Sequence, residues 1–254
     1  MNYQYILTEF KDGIATIILN RRPLNVLNIA MMEEINNALR EFMKEHVKLL
    51  IFRANGKAFS AGVEVAEHMG GQAEKMIEVF HGMFRLMDKL GVPSIAVVNG
   101  TALGGGCELA IYCDMAIASE KATLGQPEIQ VGVFPPVAAL VMSRIMGRKK
   151  AMELLLSGDI ISAREAMNLG LINKVVAHQD LEAEAAAFIK KFSKNSSIVL
   201  KLTRSSLLEG TLEKQEKDLI SIENIYFNKL MKTHDAQEGL QSFIDKRKPS
   251  WQDR

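Results

Sequence analysis

The 254-residue chain sets 31 Lys and Arg against 30 Asp and Glu, a formal net charge of +1, with 48% hydrophobic and 24% charged residues. These proportions fit a globular protein with a full core. Balanced charge excludes bulk attraction to nucleic acid or to an anionic membrane surface, so an anionic ligand must be held by a local cluster. No stretch reaches the ~20 apolar residues of a membrane span. Met1-Asn2-Tyr3-Gln4-Tyr5 lacks the basic-then-apolar pattern of a secretory leader, and the expected location is cytoplasmic. Cys107 and Cys113 share one apolar segment without the paired spacing of a zinc site, and read as reduced core thiols. His46, His68, His81, His178 and His234 are dispersed without metal-ligand spacing, so no metal is expected.

In chain order, Tyr3–Glu9 and Ile14–Asn20 flank Lys11-Asp12-Gly13 and predict a β-hairpin with a turn glycine. Apolar residues at helical spacing (Met31, Ile35, Leu39, Phe42) predict a helix over Ile29–Glu45. A short buried strand at Val47–Ala54 leads into a loop, Asn55–Gly62. A second helix is expected over Gln72–Leu90, and the β-branched run Pro93–Asn99 reads as another strand. Gly104-Gly105-Gly106 then opens Cys107–Tyr112, too short and apolar to be exposed. The repeated strand–loop–helix order implies a parallel or mixed sheet buried by helices, an α/β fold. From Val137 onward helical patterns dominate: 139–146, 149–156, 163–169, 181–191, 198–208, 212–231 and 236–246. The expected division is an α/β core over 1–180 and a helical module over 181–254, packed on that core or on a neighbouring subunit.

Three segments carry chemistry: Ala58-Phe59-Ser60-Ala61-Gly62-Val63-Glu64, Asn99–Leu109 with its three glycines, and Leu124-Gly125-Gln126-Pro127-Glu128. Successive glycines admit backbone conformations closed to other residues and let a ligand approach closely. They enter a helix whose first amides are unpaired and whose dipole favours negative charge. A phosphate loop would add Lys and Ser or Thr after the glycines. Here Cys107 and Glu108 follow, and a carboxylate repels phosphate. An acyl oxygen that gains charge only during reaction suits the turn better, as in an oxyanion hole. Taken singly, such a turn also serves packing, and a first-turn Glu also complements the helix dipole. Glu128 alone reads equally as a solvated loop residue or a helix cap.

Together the three segments resemble the crotonase (enoyl-CoA hydratase/isomerase) family, whose F-[SA]-A-G-x-[DE], G-x-A-x-G-G-G-x-E-[LM] and G-x-P-E motifs occur in this order. The resemblance runs from Asn20-Arg21-Arg22-Pro23-Leu24-Asn25 to Phe243-Ile244-Asp245-Lys246-Arg247-Lys248. It implies a spiral of ββα units and a C-terminal helical region that builds homotrimers, often paired into hexamers. It gives the Val63 and Gly105 amides to the thioester oxygen, and Ala61, Glu64, Val65 and Ala66 to the path of coenzyme A. Phe243 and Lys246 match positions that contact coenzyme A, often across a subunit interface. Without the resemblance they are an apolar face residue and a solvated helix-end lysine. Coenzyme A enters as part of the substrate, and no separate cofactor is implied.

Within the resemblance hydratases keep carboxylates at both Glu108 and Glu128, whereas many isomerases manage with one. Adding water requires one group to orient and deprotonate it and another to deliver a proton to carbon. Glu108 is expected mainly on the water and Glu128 mainly on proton delivery. The segment Gly132-Val133-Phe134-Pro135-Pro136-Val137-Ala138-Ala139-Leu140 departs from ordinary hydratases. Pro136 has no amide to donate, and Val137–Leu140 bring apolar bulk expected to reshape the acyl pocket. This segment, together with the Phe59-Ser60-Ala61-Gly62-Val63-Glu64-Val65 loop and the Pro23-Leu24-Asn25-Val26-Leu27 turn, resembles the cyclic dienoyl-CoA hydratases of anaerobic aromatic degradation, which act on cyclohexa-1,5-diene-1-carbonyl-CoA. An enoyl-CoA isomerase is the alternative within the family. A non-catalytic acyl-CoA-binding or RNA-associated member is a further alternative; retention of both glutamates and the absence of a basic tract speak against it.

Overall fold

The computed structural model describes residues 3–254; Met1 and Asn2, the start of the N-terminal stretch read above, lie outside the described residues. The expected hairpin forms from β1 (Ile6–Lys11) and β2 (Ile14–Leu19), with Asp12 and Gly13 both at positive φ in the turn. That pair of positive angles matches the twist of the flanking strands. Helix α1 (Ile29–Phe42) starts at Asn28, whose side chain accepts from the Met31 N–H. It ends one turn earlier than periodicity implied, because its last apolar anchor is Phe42.

Three units then repeat one path. β3 (Leu49–Ala54), β4 (Ala58–Ser60) and α2 (Ala73–Leu90) form the first. β5 (Ser94–Val98), β6 (Thr101–Leu103) and α3 (Gly105–Tyr112) form the second. β7 (Met115–Ser119), β8 (Thr123–Gly125) and α4 (Pro136–Met146) form the third. After α5 (Arg148–Ser157) come β9 (Ile160–Ser162), α6 (Ala163–Asn168) and β10 (Lys174–Val176). The chain closes with α7 (Leu181–Ser193), α8 (Ser197–Leu207), α9 (Leu212–Asn228) and α10 (His234–Ile244).

Each unit gives its first strand to a six-stranded sheet, β1-β2-β3-β5-β7-β10, and its second to a four-stranded sheet, β4-β6-β8-β9. Among the described residues, the β1/β2 and β8/β9 pairs are antiparallel and the other strand pairs are parallel. The central strands are buried on both faces. Leu50, Phe52, Ala96 and Val98 point into the main core, while Leu49, Ile51, Ile95 and Val97 meet Leu181, Ala185 and Phe188 of α7. Strands buried on both faces read as unbroken apolar runs, which is why β3 and β5 were legible. The three-residue strands β4, β6, β8, β9 and β10 were not, since so short a segment has no period to detect.

The C-terminal helices are no appendage. Leu219 and Tyr226 of α9 and Leu240 of α10 belong to the same apolar cluster as α2, α3 and α4. Among the described residues no helix is long and apolar enough to cross a membrane.

Candidate active site

Two backbone turns meet where β4 and β6 run side by side. After β4, Ser60 donates to the Asn25 carbonyl at 2.8 Å and accepts from the Gly62 N–H at 3.2 Å, fixing the bend. Leu27 then pairs with Val63 in a parallel bridge, through Leu27 N–H to Gly62 O and Glu64 N–H to Leu27 O. In such a bridge the flanking residues supply the bonds, so the amide of Val63 takes no part in it.

After β6, Gly104 holds φ +50 and ψ −130, a combination reserved for glycine. It anchors α3 by accepting from the Glu108 N–H at 2.8 Å, while its own amide donates to the Gly125 carbonyl at 3.0 Å. Gly105 is the first helical residue, so its N–H has no partner within the helix. A Cβ on Gly105 would stand 2.6 Å from Val63 Cγ2 and 3.0 Å from Phe80 Cζ. The two turns therefore touch, and Val63 and Gly105 line one cavity.

Glu108 lies one turn into α3 and is almost fully buried. It accepts from the Ala138 N–H at 2.8 Å, with Val137 as a second backbone donor. Both donors sit in the first turn of α4, whose unpaired amides and positive dipole end suit a carboxylate. Pro136 occupies the first helical position, where no amide partner exists in any case. The lost donor expected from Pro136 is thus made good one and two residues later. Val137, Ala138 and Leu140 are core residues, and the bulk expected in the pocket goes elsewhere. The cavity is lined instead by Val133, Phe134, Pro135 and Pro136. The expectation fails because α4 begins at Pro136 and turns the following side chains inward.

Glu128 sits in a 3-10 turn, Pro127–Val131, closed by Gly132 at φ +77. Its Oε1 lies 2.6 Å from where a Cβ on Gly104 would stand, so the carboxyl rests against the glycine turn. With its amide nitrogen toward Glu128, the buried Gln126 side chain donates to both carboxyl oxygens at 3.2 Å. Burial pushes Glu108 up to about 7, against the backbone donors that pull it down. Glu128 is pushed well above the usual carboxylate range, by burial first and by the Glu108 charge second. Two carboxyl groups whose environments separate their proton affinities are the signature of an acid paired with a base.

Both glutamates open into a cavity of about 420 Å³ whose other walls are mostly apolar. Ala61, Val63, Val65, Gly105 and Phe243 line it as well. Glu64, Ala66 and Lys246 lie outside the lining: Glu64 pairs with Arg21 at 3.4 Å, and Lys246 is exposed just beyond α10. Among the lining residues, three that the sequence did not single out individually bear on the chemistry. His68 is held neutral by burial, Phe134 follows Gly132-Val133, and Tyr226 comes from α9. The spacing of Leu219, Ile222 and Tyr226 marks an inward face and could have revealed the last.

An enzyme class follows from this geometry and is matched by similarity across the chain. Residues 9–254 match the family model described as enoyl-CoA hydratase/isomerase, and the chain belongs to that family. A Rhizobium meliloti protein named "Probable enoyl-CoA hydratase" is 37% identical over 261 residues, covering 100% of both chains. The mitochondrial enoyl-CoA hydratase of Pongo abelii is 34% identical, covering 100% of this chain and 89% of that protein. Among solved structures, an enoyl-CoA hydratase from Mycobacterium avium subsp. paratuberculosis superposes with a TM-score of 0.89 at 25% identity, covering 99% and 100% of the two chains.

Proposed function

We propose that this protein is a hydratase that adds water across a conjugated enoyl- or dienoyl-CoA thioester. The observation that carries the reading is the pair of buried carboxyl groups, unequal in proton affinity, facing one apolar cavity that Val63 and Gly105 also line. The amides of Val63 and Gly105 receive the thioester oxygen and stabilise it as it gains enolate charge. Glu108, the more easily ionised of the pair, takes a proton from water as its oxygen bonds to the β carbon. Glu128, the more firmly protonated, delivers a proton to the carbon skeleton. Both groups hold the same water, and proton exchange between them resets the pair. The substrate's coenzyme A moiety runs past Ala61, Glu64, Val65 and Ala66, with Phe243 and Lys246 at its nucleotide end.

The acyl group we assign is cyclic, cyclohexa-1,5-diene-1-carbonyl in the setting of aromatic degradation. Support comes from the cavity wall Phe134-Pro135-Pro136, which lines the space with an aromatic ring and two rigid prolines. The assembly we assign is a homotrimer or a dimer of trimers. Ile198, Val199, Leu202 and Leu207 expose 57–78% of their surface along α8, an apolar stripe that a lone subunit leaves wet. Sedimentation analysis is expected to give an integer multiple of three; a monomer at micromolar concentration would remove that part of the reading.

Incubation with a panel of linear and cyclic enoyl- and dienoyl-CoA thioesters tests the activity. The expected products are heavier than their substrates by one water, with the cyclic diene turned over fastest. Products of unchanged mass and shifted double bond would make the protein an isomerase instead.

A further inference from the structure

Tyr226 is a buried phenol, 1% exposed, that lines the same cavity as Glu108 and Glu128. Its ring is held edge-on by Phe134 at 5.4 Å and by Phe227 at 5.6 Å between centroids. One turn earlier on α9, Glu223 receives buried His81 at 2.6 Å and Arg85 at 2.9 Å from α2, clamping the helix in place. The ring is therefore fixed, yet its hydroxyl has no hydrogen-bond partner among the described residues. Tyr112 shows the contrast. Its phenol donates to Asp88 at 2.7 Å and accepts from Gln215 at 2.9 Å. The Tyr226 hydroxyl is not among the sealed buried atoms that lack a partner, and it stands at the cavity wall, open to a partner bound there. Burial and the charges of both glutamates also raise its proton affinity, so the phenol stays a donor throughout.

We propose that Tyr226 is a third residue on the reacting oxygen, donating its phenolic hydrogen to the oxygen that is added to, or expelled from, the acyl group. This rests on the hydratase reading and extends it. A water oxygen has four tetrahedral directions. Its two hydrogens point to Glu108 and to the unprotonated oxygen of Glu128, and one lone pair accepts from Tyr226. The remaining lone pair is then aimed at the β carbon. As the oxygen–carbon bond forms, one water proton passes to Glu108. The double-bond electrons move toward the thioester oxygen, and the Glu128 proton goes to carbon. Tyr226 ends the step as it began, bonded to the new hydroxyl. In reverse, it stabilises the same oxygen as it leaves.

Tyr226→Phe removes one oxygen and keeps the ring contacts. Hydration of the enoyl thioester that the wild type turns over is expected to fall about 10- to 100-fold, with KM within about twofold. The comparison reaction is α-proton exchange of the corresponding saturated thioester in deuterated water. It uses the two amides and a glutamate but no reacting water oxygen, and is expected to stay within about twofold. Hydration unchanged in Tyr226→Phe overturns the proposal alone. Hydration and exchange falling together overturns it in favour of a packing role. Exchange without hydration in the wild type overturns the hydratase reading first, and the proposal with it.

Discussion

At the residue scale the chemistry divides between two glutamates of one type but unlike surroundings. Glu108 receives backbone amides from α4, which favour its charged form, whereas Glu128 receives a neutral amide and the repulsion of Glu108. Under the proposed mechanism, activity needs Glu108 ionised and Glu128 protonated. kcat/KM is therefore expected to rise with pH through about 7 and to fall at higher pH as Glu128 loses its proton. A flat profile between pH 6 and 8 would contradict the pairing. Glu108→Gln and Glu128→Gln should each lower kcat by roughly 10²–10⁴ in steady-state assays.

The same burial has a stability consequence with a definite sign. Glu108 is raised from 4.5 to about 7 on folding, so across that window the folded chain keeps a proton that the unfolded chain has lost. The contribution of Glu108 to stability is greatest below about 4.5 and declines as pH rises to about 7. Glu108→Gln still accepts from Ala138 but carries no charge to desolvate. Its stability at pH 8 is expected to exceed the wild type's by on the order of 2 kcal/mol, roughly 5 °C in Tm. The gain should vanish near pH 4.5 in the same melting series. An inactive variant no more stable than the wild type at pH 8 would show that the carboxylate is not desolvated.

At the element scale, the two turns after β4 and β6, the 3-10 turn of Glu128 and the start of α4 frame the candidate site. The Gly104–Gly105 turn was legible because glycine is demanded twice, by a positive φ and by the approach of Val63. At the first turn of α4, Pro136 removes one free amide donor, and the amides that follow it bond Glu108 instead. Sequence shows which residue lacks an N–H but not where the helix begins. The contact between turns also dictates how the amides should be tested. Gly105→Ala would drive its Cβ into Val63 Cγ2 and displace the facing amide. We expect kcat to fall about 10²-fold or more. Adding Val63→Ala removes that collision and should restore part of the loss. No recovery in the double variant would mean that Phe80, the other neighbour, carries the effect.

At the scale of the whole molecule, the last helix works on the catalytic turn directly. A Cβ on Gly239 would stand 2.5 Å from the Val131 carbonyl, and one on Gly132 would stand 2.6 Å from the Asp235 carbonyl. Helix α10 and the Glu128 turn thus meet backbone to backbone. Gly239→Ala is expected to lower both kcat and Tm, measured by turnover and calorimetry, without touching any substrate contact. Removal of residues from 236 onward would unseat Glu128 as well as any intersubunit contact. Phe243→Ala and Lys246→Ala are therefore the cleaner probes of coenzyme A binding. The order of units and the three motifs were legible in the sequence because glycine, proline and buried apolar runs act locally. That α9 and α10 close the cavity was not, since Tyr226 and Gly239 acquire their roles only through contacts with residues distant in sequence.

The positions at which oxygen and hydrogen enter the acyl group decide the function. Turnover of the cyclic diene in deuterated water, followed by NMR, reads both at once. A 1,4-addition places hydroxyl on C2, the β carbon, and deuterium on C5, leaving the double bond between C1 and C6 conjugated to the thioester. That product is expected, with Glu128 serving the distal carbon and its Gln variant losing the C5 label together with turnover. Deuterium on carbon with no hydroxyl gained, from cyclic and linear substrates alike, would contradict hydration by the paired glutamates.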